Sequence, residues 1–477
     1  MVNNSVYQEF GQHYMKIHLA GLLLMVFLSG CATAPMSIPF SVTNTAQQIP
    51  VIVTPIVPTA TVDIFPITAT LPNPTTTPYP STPTFISASP PNHLTVAYVA
   101  EGALWVWNQN SSRLLLERQN ISAPVFSDDG QWILFQQRHI SLDSSPPSSD
   151  ELWVVRTDGS EIKRLVGSDN LLALTGKPVL IDYFNWLPGH HKILFNTEEL
   201  VDGPPGSLPL FDLYSVDLAG QVTQLLGPGD AGRFISSPDG THVALATGSR
   251  IKVFNLETGN QRTLLEFERV GVPIDGGPRT PKVTWDPNGQ FVMTSILPKN
   301  LYYPEKYAGE PEQVWRLFLN GQAELVAQLQ PVSQNHAGIK ISPDLKYFFY
   351  LNGNCSDAMG MLYVRNLTSA EEHPLHCVWN LPQWLPDGEH FIYKLGPWQL
   401  GSIYDTTSQS LDVLNLPTNP NVNASLLTWI NDEYFLLDLR SQDDCSLNIA
   451  TLRGIVTEVA RTAGDICPRR LDFSLLK

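Results

Sequence analysis

The chain has 477 residues, with 29 Lys and Arg against 45 Asp and Glu, a formal net charge of -16. A chain this acidic lacks the clustered cations that phosphate contacts require, so no nucleic-acid partner is expected. Charged residues are only 16% of the chain and hydrophobic residues 43%, which excludes a charge-rich disordered chain or coiled coil and supplies enough apolar material for a large core.

The N-terminus reads as an address. Leu19 to Leu28 is an apolar run of ten residues preceded by Lys16, too short for a bilayer-spanning helix, which needs about 20 residues, and suited to the apolar region of a secretory signal. Met15-Lys16 would open a compact signal. The run leads into Leu28-Ser29-Gly30-Cys31, which resembles the lipobox of bacterial lipoproteins. The resemblance implies that residues 1–30 are a signal peptide and that Cys31 carries acyl chains anchoring the mature protein to a membrane. The rest of the chain would then lie outside the cytoplasm, on the cell membrane or the outer membrane. Ala32 in place of Asp points toward the outer membrane in a two-membrane cell and the cell surface in a one-membrane cell. An ordinary signal peptide, or a buried helix with a chance Cys, is the alternative.

Residues 31–93 read as a stalk. Positions 32–92 hold 13 Pro and 13 Thr, with Asp63 the only charge. Pro lacks a backbone donor and fixes φ, so runs such as Pro72 to Pro80 form neither helix nor central strand. Pro-rich chain is extended and semi-rigid, and this length could reach on the order of 190 Å at about 3.1 Å per residue. The composition suits an O-glycosylated stalk or a bare spacer.

From Leu94 the chain turns to short β-branched and aromatic runs separated by turn residues, an all-β pattern. One turn recurs: Ser127-Asp-Asp-Gly130, Leu187-Pro-Gly-His190, Ser237-Pro-Asp-Gly240, Asp286-Pro-Asn-Gly289, Ser342-Pro-Asp-Leu345, Leu385-Pro-Asp-Gly388 and the degraded Ile430-Asn-Asp-Glu433. Three strand-like runs follow each copy, and the starts are 43 to 60 residues apart. Four short strands per repeat of this length predict a β-propeller. Pro presets φ at the second turn position, and Asp and Gly suit the next two. Trp186, Trp285, Trp384 and Trp429 precede the turn in equivalent register and are expected to pack between blades. These residues resemble the W-S-P-D-G turns of TolB-like and WD-type propeller repeats over roughly residues 94–477. The resemblance speaks for fold and little for function.

Seven motifs open seven blades. The runs at 94–100, 103–107 and 113–117 lack a motif, and Phe473-Ser474 near the C-terminus matches Phe126-Ser127. The last strand therefore joins the first three and closes a ring of eight, seven being the alternative if one motif is spurious. Cys355 and Cys377 are 22 residues apart, as are Cys445 and Cys467. Two intra-blade disulfides are expected, each joining the loop between second and third strands to the loop leaving the fourth, as an oxidising compartment allows. The rival is a metal site helped by His373 and His376, but zinc sites usually bring closely spaced Cys pairs that are absent here.

No motif for a hydrolase nucleophile, a zinc protease, a dinucleotide or a nucleoside triphosphate is present. No catalytic residue, metal or cofactor is assigned, and the balance leans away from an enzyme. Prolyl oligopeptidase-type enzymes resemble this chain in their propeller, but no residues remain for their hydrolase domain. Ser127 to Trp132 faintly resembles a sialidase Asp-box with the wrong spacing. The long insertions at 138–150, 197–210, 267–282 and 297–312 map to one face, which in repeat architectures often marks the binding face. Tyr302, Tyr303, Glu305, Lys306 and Tyr307 form its most ligand-like stretch, with a surface loop that merely tolerates insertion as the alternative. The expected activity is that of a scaffold binding an envelope protein or glycan. The alternative is an envelope hydrolase or lyase using a pocket at the propeller axis.

Overall fold

The second strand of each repeat reads as an unbroken apolar run because both of its faces are covered. In Tyr347–Asn352, Phe348 and Tyr350 pack toward the preceding repeat while Phe349 and Leu351 pack toward the next. In His242–Ala246, Val243 and Leu245 face one neighbour and Ala244 and Ala246 the other. Such strands cannot bury both faces within one sheet, so the sheets stack side by side. In the computed structural model they do so as eight antiparallel sheets. The structure describes residues 91 and 93–475, apart from 109–110, 119, 140–148, 202–205, 269–279, 299–310, 330–338, 353–354, 356–359, 380, 396–400, 415–421, 442 and 464–467.

Each blade runs from an innermost to an outermost strand in chain order. Blade 2 is Ile121–Phe126, Trp132–His139, Ser149–Arg156 and Ile162–Val166, and blade 4 is Arg233–Ser236, His242–Ala246, Arg250–Asn255 and Gln261–Glu266. Blade 3 follows the same order and carries a fifth short strand, Ser207–Pro209, which pairs with the end of its second strand. Blade 1 is composite. Its innermost strand is the C-terminal Arg469–Leu475, which pairs with Leu94–Ala100 through Leu94↔Leu475 and Thr95↔Ser474. This closure removes the two sheet edges that an open ring would expose. Eight buried apolar clusters fill the eight blade interfaces, the last of them joining Leu436 and Leu447 of blade 8 to Leu94 and Val96 of blade 1.

The repeated turn is a hydrogen-bonded unit. Ser237 Oγ donates to Asp239 Oδ1 at 2.5 Å and accepts from His242 N at 2.9 Å, and Ser127 and Ser342 make the same pair of bonds in their turns. Gly240 closes the turn at φ 69°, where an added Cβ would lie 2.2 Å from the Pro188 carbonyl oxygen of blade 3. Leu345 occupies the equivalent position at φ 60° without being Gly.

The tryptophans before the turn tie blades together. Trp186 Nε1 donates to Val125 O at 3.0 Å, Trp285 Nε1 to Ile235 O at 2.9 Å and Trp384 Nε1 to Lys340 O at 2.9 Å. Each acceptor sits two residues before the turn of the preceding blade. Trp429 Nε1 is buried with no partner, and its strand slips register between Leu426 and Thr428.

One element departs from the all-β expectation. Ser168–Thr175 is a helix in the connection from blade 2 to blade 3, anchored by buried Leu171 and closed by Gly176 at φ 71°. A single apolar anchor within eight residues is too weak a periodic signal to stand out. No helix among the described residues is long and apolar enough to cross a membrane.

Cys355 and Cys377 form a disulfide with a Cα–Cα distance of 6.0 Å. The bond leaves the loop between second and third strands as expected, but Cys377 lies inside the fourth strand, Glu372–Val378, and not in the loop beyond it. With these sulfurs joined, a zinc site drawing on His373 and His376 has no thiolate from either cysteine. Cys445 is also disulfide-bonded and lies within the third strand, Asp444–Thr451, rather than in a loop. Cys467, its expected partner, lies outside the described residues.

Candidate functional site

In blades 2 to 8 the chain enters the innermost strand from the insertion-bearing face and leaves it through the repeated turn on the other face. The second strand ends, and the third begins, back on the insertion face. Connections there range from the tight Glu101-Gly102 turn of blade 1 to the long ones of blades 2, 3 and 5.

Alternation along the innermost strands shows which side chains border the axis. The position two residues before the turn is partly exposed in blades 2 to 8, at Val125, Asn185, Ile235, Thr284, Lys340, Gln383 and Thr428, and so is its equivalent in blade 1, Asp472. The residue before it is buried in seven of the eight, the exception being Leu427. The axial lining therefore has four neutral polar residues, two apolar ones, one cation and one anion. Asp472 accepts from Phe126 N at 2.7 Å, tying the closing strand to blade 2. Burial raises its pKa to about 6, against the lowering effect of the Phe126 and Phe473 amides.

Charge gathers at the insertion-face end, chiefly in blades 2 to 4. Asp150 opens the third strand of blade 2 and is fully buried. Its Oδ1 accepts from Arg138 Nε at 2.8 Å, and its Oδ2 accepts from Arg138 Nη2 at 2.9 Å, Gln136 Nε2 at 2.8 Å and Ile181 N at 3.0 Å. A paired carboxylate thus satisfies the entry of the next blade's innermost strand. Arg138 Nη2 also reaches Glu198 Oε1 at 3.5 Å, and Ser207 of the extra strand donates to Glu198 Oε2 at 2.7 Å. Burial would lower the Arg138 pKa, but the Asp150 and Glu198 charges outweigh it and the net shift is upward. Asp212 immediately precedes the third strand of blade 3, Leu213–Asp217, is fully buried, and accepts from the Thr197 amide at 2.8 Å and from the Thr197 hydroxyl.

Asp182 is the focus of this cluster. It is the extra residue of a bulge, since Ile181 pairs with Thr197 and Tyr183 with Asn196. A bulge re-aims a side chain out of the strand's alternation, and Asp182 is partly exposed where alternation would bury it. Burial raises its pKa to about 6, and the Glu198 and Asp212 charges add to the rise while Arg233 and Arg138 oppose it. Arg233 is exposed and begins the innermost strand of blade 4, directly after Gly232. A Cβ on Gly232 would lie 2.4 Å from the Ala246 carbonyl oxygen. The arrangement offers a carboxyl that exchanges its proton near pH 6, beside a second carboxylate and two guanidinium groups. Such a set can bind polar ligands, and it can exchange protons with them.

Farther around the mouth the sign reverses. Lys282 immediately precedes the innermost strand of blade 5 and Lys340 begins that of blade 6, and their side chains interact directly. Burial first, then the Lys340 charge, lowers the Lys282 pKa to about 8.

None of these residues was singled out from the sequence. The signal for Asp182 was a lone acid between apolar residues in Val179 to Phe184, which gives no sign of a bulge. Of the residues that were singled out, Cys31, Tyr302, Tyr303, Glu305, Lys306 and Tyr307 lie outside the described residues. No group of three or more His, Cys, Asp and Glu is arranged to hold a metal ion among the described residues. A cleft of about 410 Å³ lies between blades 4 and 5, but its His242 is held by Thr241 and Asn255, and it is remote from the mouth.

No protein-family model matches the chain, and no curated protein matches it. Solved structures similar to it include an oligogalacturonate lyase in complex with manganese, at 13% identity and a TM-score of 0.40, covering 61% of this chain and 78% of that one. TolB from Acinetobacter baumannii is similar at 12% identity and a TM-score of 0.33, covering 72% and 83%. Dipeptidyl peptidase 4 from Porphyromonas gingivalis is similar at 12% identity and a TM-score of 0.48, covering 73% of this chain and 54% of that one. At such identities these likenesses concern the fold alone, and the strand order by itself establishes that the chain is an eight-bladed β-propeller closed by its C-terminal strand.

Proposed function

We propose that this protein is a lipid-anchored, extracytoplasmic propeller that binds an envelope protein or glycan at the insertion-face mouth of its ring. The observation that carries the binding site is the convergence of Arg138, Asp182, Glu198 and Arg233 from three blades on that face. Extracytoplasmic location is supported by the Cys355–Cys377 disulfide, since such bonds persist in oxidising compartments. Anchoring rests on the sequence at Leu19 to Cys31. Two or more acyl chains on Cys31 would hold the protein where one chain would not, and the Thr/Pro stalk would space the propeller from the lipid.

The binding test is a glycan array together with cross-linking in envelope preparations, comparing wild type with the Asp182→Asn/Glu198→Gln variant. A loss of about tenfold in binding, with the circular dichroism spectrum kept, is expected from removing charged contacts. Equal binding by both proteins overturns the site. For the anchor, Cys31→Ser is expected to move the protein from the detergent phase to the aqueous phase on phase partitioning, and no movement overturns it.

A second reading, a hydrolase or lyase acting at the axis, is favoured by one observation: Asp182 is raised to about 6 beside Glu198. Release of new reducing ends from acidic or neutral polysaccharides, abolished by Asp182→Asn, would replace the binding reading with this one.

A further inference from the structure

The cleft of about 410 Å³ between blades 4 and 5 lies at the turn-face end of their interface and has a chemistry of its own. Strand register builds its wall. Val253 packs with Val283 and Trp285 of blade 5, and His242 pairs with Asn255 and Arg262 with Val253. All four residues of blade 4 therefore stand on the side that faces blade 5, and Leu319 closes the cleft from blade 5.

Hydrogen bonds fix which way each polar group points. An ionised carboxylate only accepts, so the Thr241 hydroxyl donates to Asp239 Oδ2 at 2.9 Å and accepts from His242 Nδ1 at 2.7 Å. His242 Nε2 then accepts from Asn255 Nδ2 at 3.0 Å. Asn255 Oδ1 takes the Glu257 and Thr258 amides at 3.0 and 2.8 Å and the Thr258 hydroxyl at 3.0 Å, which settles the orientation of its amide. Arg262 Nη1 donates across the cleft to Leu319 O at 3.0 Å. The acceptors of these groups are thus occupied, and what they leave over are donors: the second Asn255 amide hydrogen, and Arg262 Nε and Nη2. Nε and Nη2 form the side-on fork that grips a carboxylate with two parallel bonds. Arg262 is exposed and in no ion pair among the described residues, and no Asp or Glu among them lines the cleft.

We propose that this cleft is a second binding site, which takes the carboxylate of a small aliphatic acid. The Arg262 fork holds the carboxylate, and Val253 and Leu319 form an apolar floor for the stem. The volume is adequate, since small-molecule pockets begin at about 300 Å³. No Phe, Tyr or Trp lines the cleft to stack a sugar ring, which sets this ligand apart from a glycan. The site lies away from the insertion-face mouth, and neither reading depends on the other.

Blade 1 supplies the control. Arg113 pairs with Val106 as Arg262 does with Val253, and it donates to Thr157 O of blade 2 as Arg262 does to Leu319 O. There Thr95 stands opposite Asn108 where His242 stands opposite Asn255. The interblade bond is shared, and the His242–Asn255 wall is not.

NMR titration of the full chain in detergent, with isotope-labelled histidine and butyrate as the probe, tests the site. A saturable shift of the His242 resonances, assigned by their loss in His242→Gln, is expected. Arg262→Met should weaken binding by at least about tenfold, as loss of a charge-assisted fork implies. Arg113→Met, which loses the matching interblade bond, should leave it unchanged. Arg262→Lys keeps the charge without the fork, should weaken binding by about tenfold, and serves if the Met variant fails to fold. Butyramide, of the same shape without the charge, should give no saturable shift. No saturable shift with butyrate, an equal response to butyramide, or equal weakening by Arg262→Met and Arg113→Met overturns the proposal.

Discussion

The two faces of the ring are made from the same eight sheets by different means. On the turn face, one short motif recurs and satisfies itself: a Ser hydroxyl bonds an Asp two residues on, and a left-handed residue closes the turn. The interblade bonds there also repeat, from Trp186, Trp285 and Trp384 to the same backbone position of the preceding blade. On the insertion face, beyond a buried acid at the start of the third strand in blades 2, 3 and 5, the described groups differ from blade to blade. Blade 2 buries Asp150 against Arg138, blade 3 adds a strand and a bulge, and blades 5 and 6 bring two lysines together. Repetition marks where the ring gains its stability. Its absence marks where costly groups are tolerated, and these are the groups with chemistry to offer.

The sharpest way to break this contrast is Asp150→Ala. The insertion face also has one feature the fold needs, and this variant leaves Arg138 without its carboxylate and Ile181 N without its acceptor. A loss of about 3–5 kcal/mol is expected in denaturant unfolding. A loss below about 1 kcal/mol would mean the network is dispensable. On the turn face, Gly240→Ala meets both the positive φ of 69° and the Pro188 carbonyl at 2.2 Å, and about 2–3 kcal/mol should be lost. Tolerance of Ala there would show that the turn is not the rigid unit described.

Asp182→Asn is expected to have the opposite sign. Its carboxyl is raised from 3.8 to about 6 in the folded chain, so the folded state holds the proton more tightly than the unfolded state. Stability from this group is therefore greatest below about pH 4 and falls as pH rises toward about 6 and beyond. Asn removes that fall. At pH 7 the variant should be more stable by about 1–2 kcal/mol, discounted for partial exposure, and at pH 3.5 equal to wild type. Unfolding at the two pH values checks this, and an equal effect at both would remove the charge from the explanation. The smallest effect separates two tryptophans. Trp285→Phe loses a bond to Ile235 O, whereas Trp429→Phe loses none. The first should cost about 1 kcal/mol more than the second, and equal costs would show that the interblade bond contributes nothing beyond packing.

Much of the architecture was legible because its signals are local. The Ser-Pro-Asp-Gly turn, the apolar second strand and the matching Phe473-Ser474 each announce themselves within a few residues, and their spacing counts the blades. The disulfide was legible through blade register, although Cys377 sits within a strand and not past it. The helix at Ser168–Thr175 was not, because one buried leucine makes no period. Trp429 shares its sequence register with the other tryptophans, yet a slip between Leu426 and Thr428 accompanies the loss of its bond.

The sequence by itself therefore determined the ring, its closing strand and the face on which insertions gather, since each follows from turn chemistry and strand order along the chain. Only the tertiary structure decided what meets at the mouth. Arg138, Asp182, Arg233, Lys282 and Lys340 come from five different blades, and no local pattern relates them. Ring closure brings the ends of their strands around one axis, where burial and neighbouring charge set properties that no residue has alone.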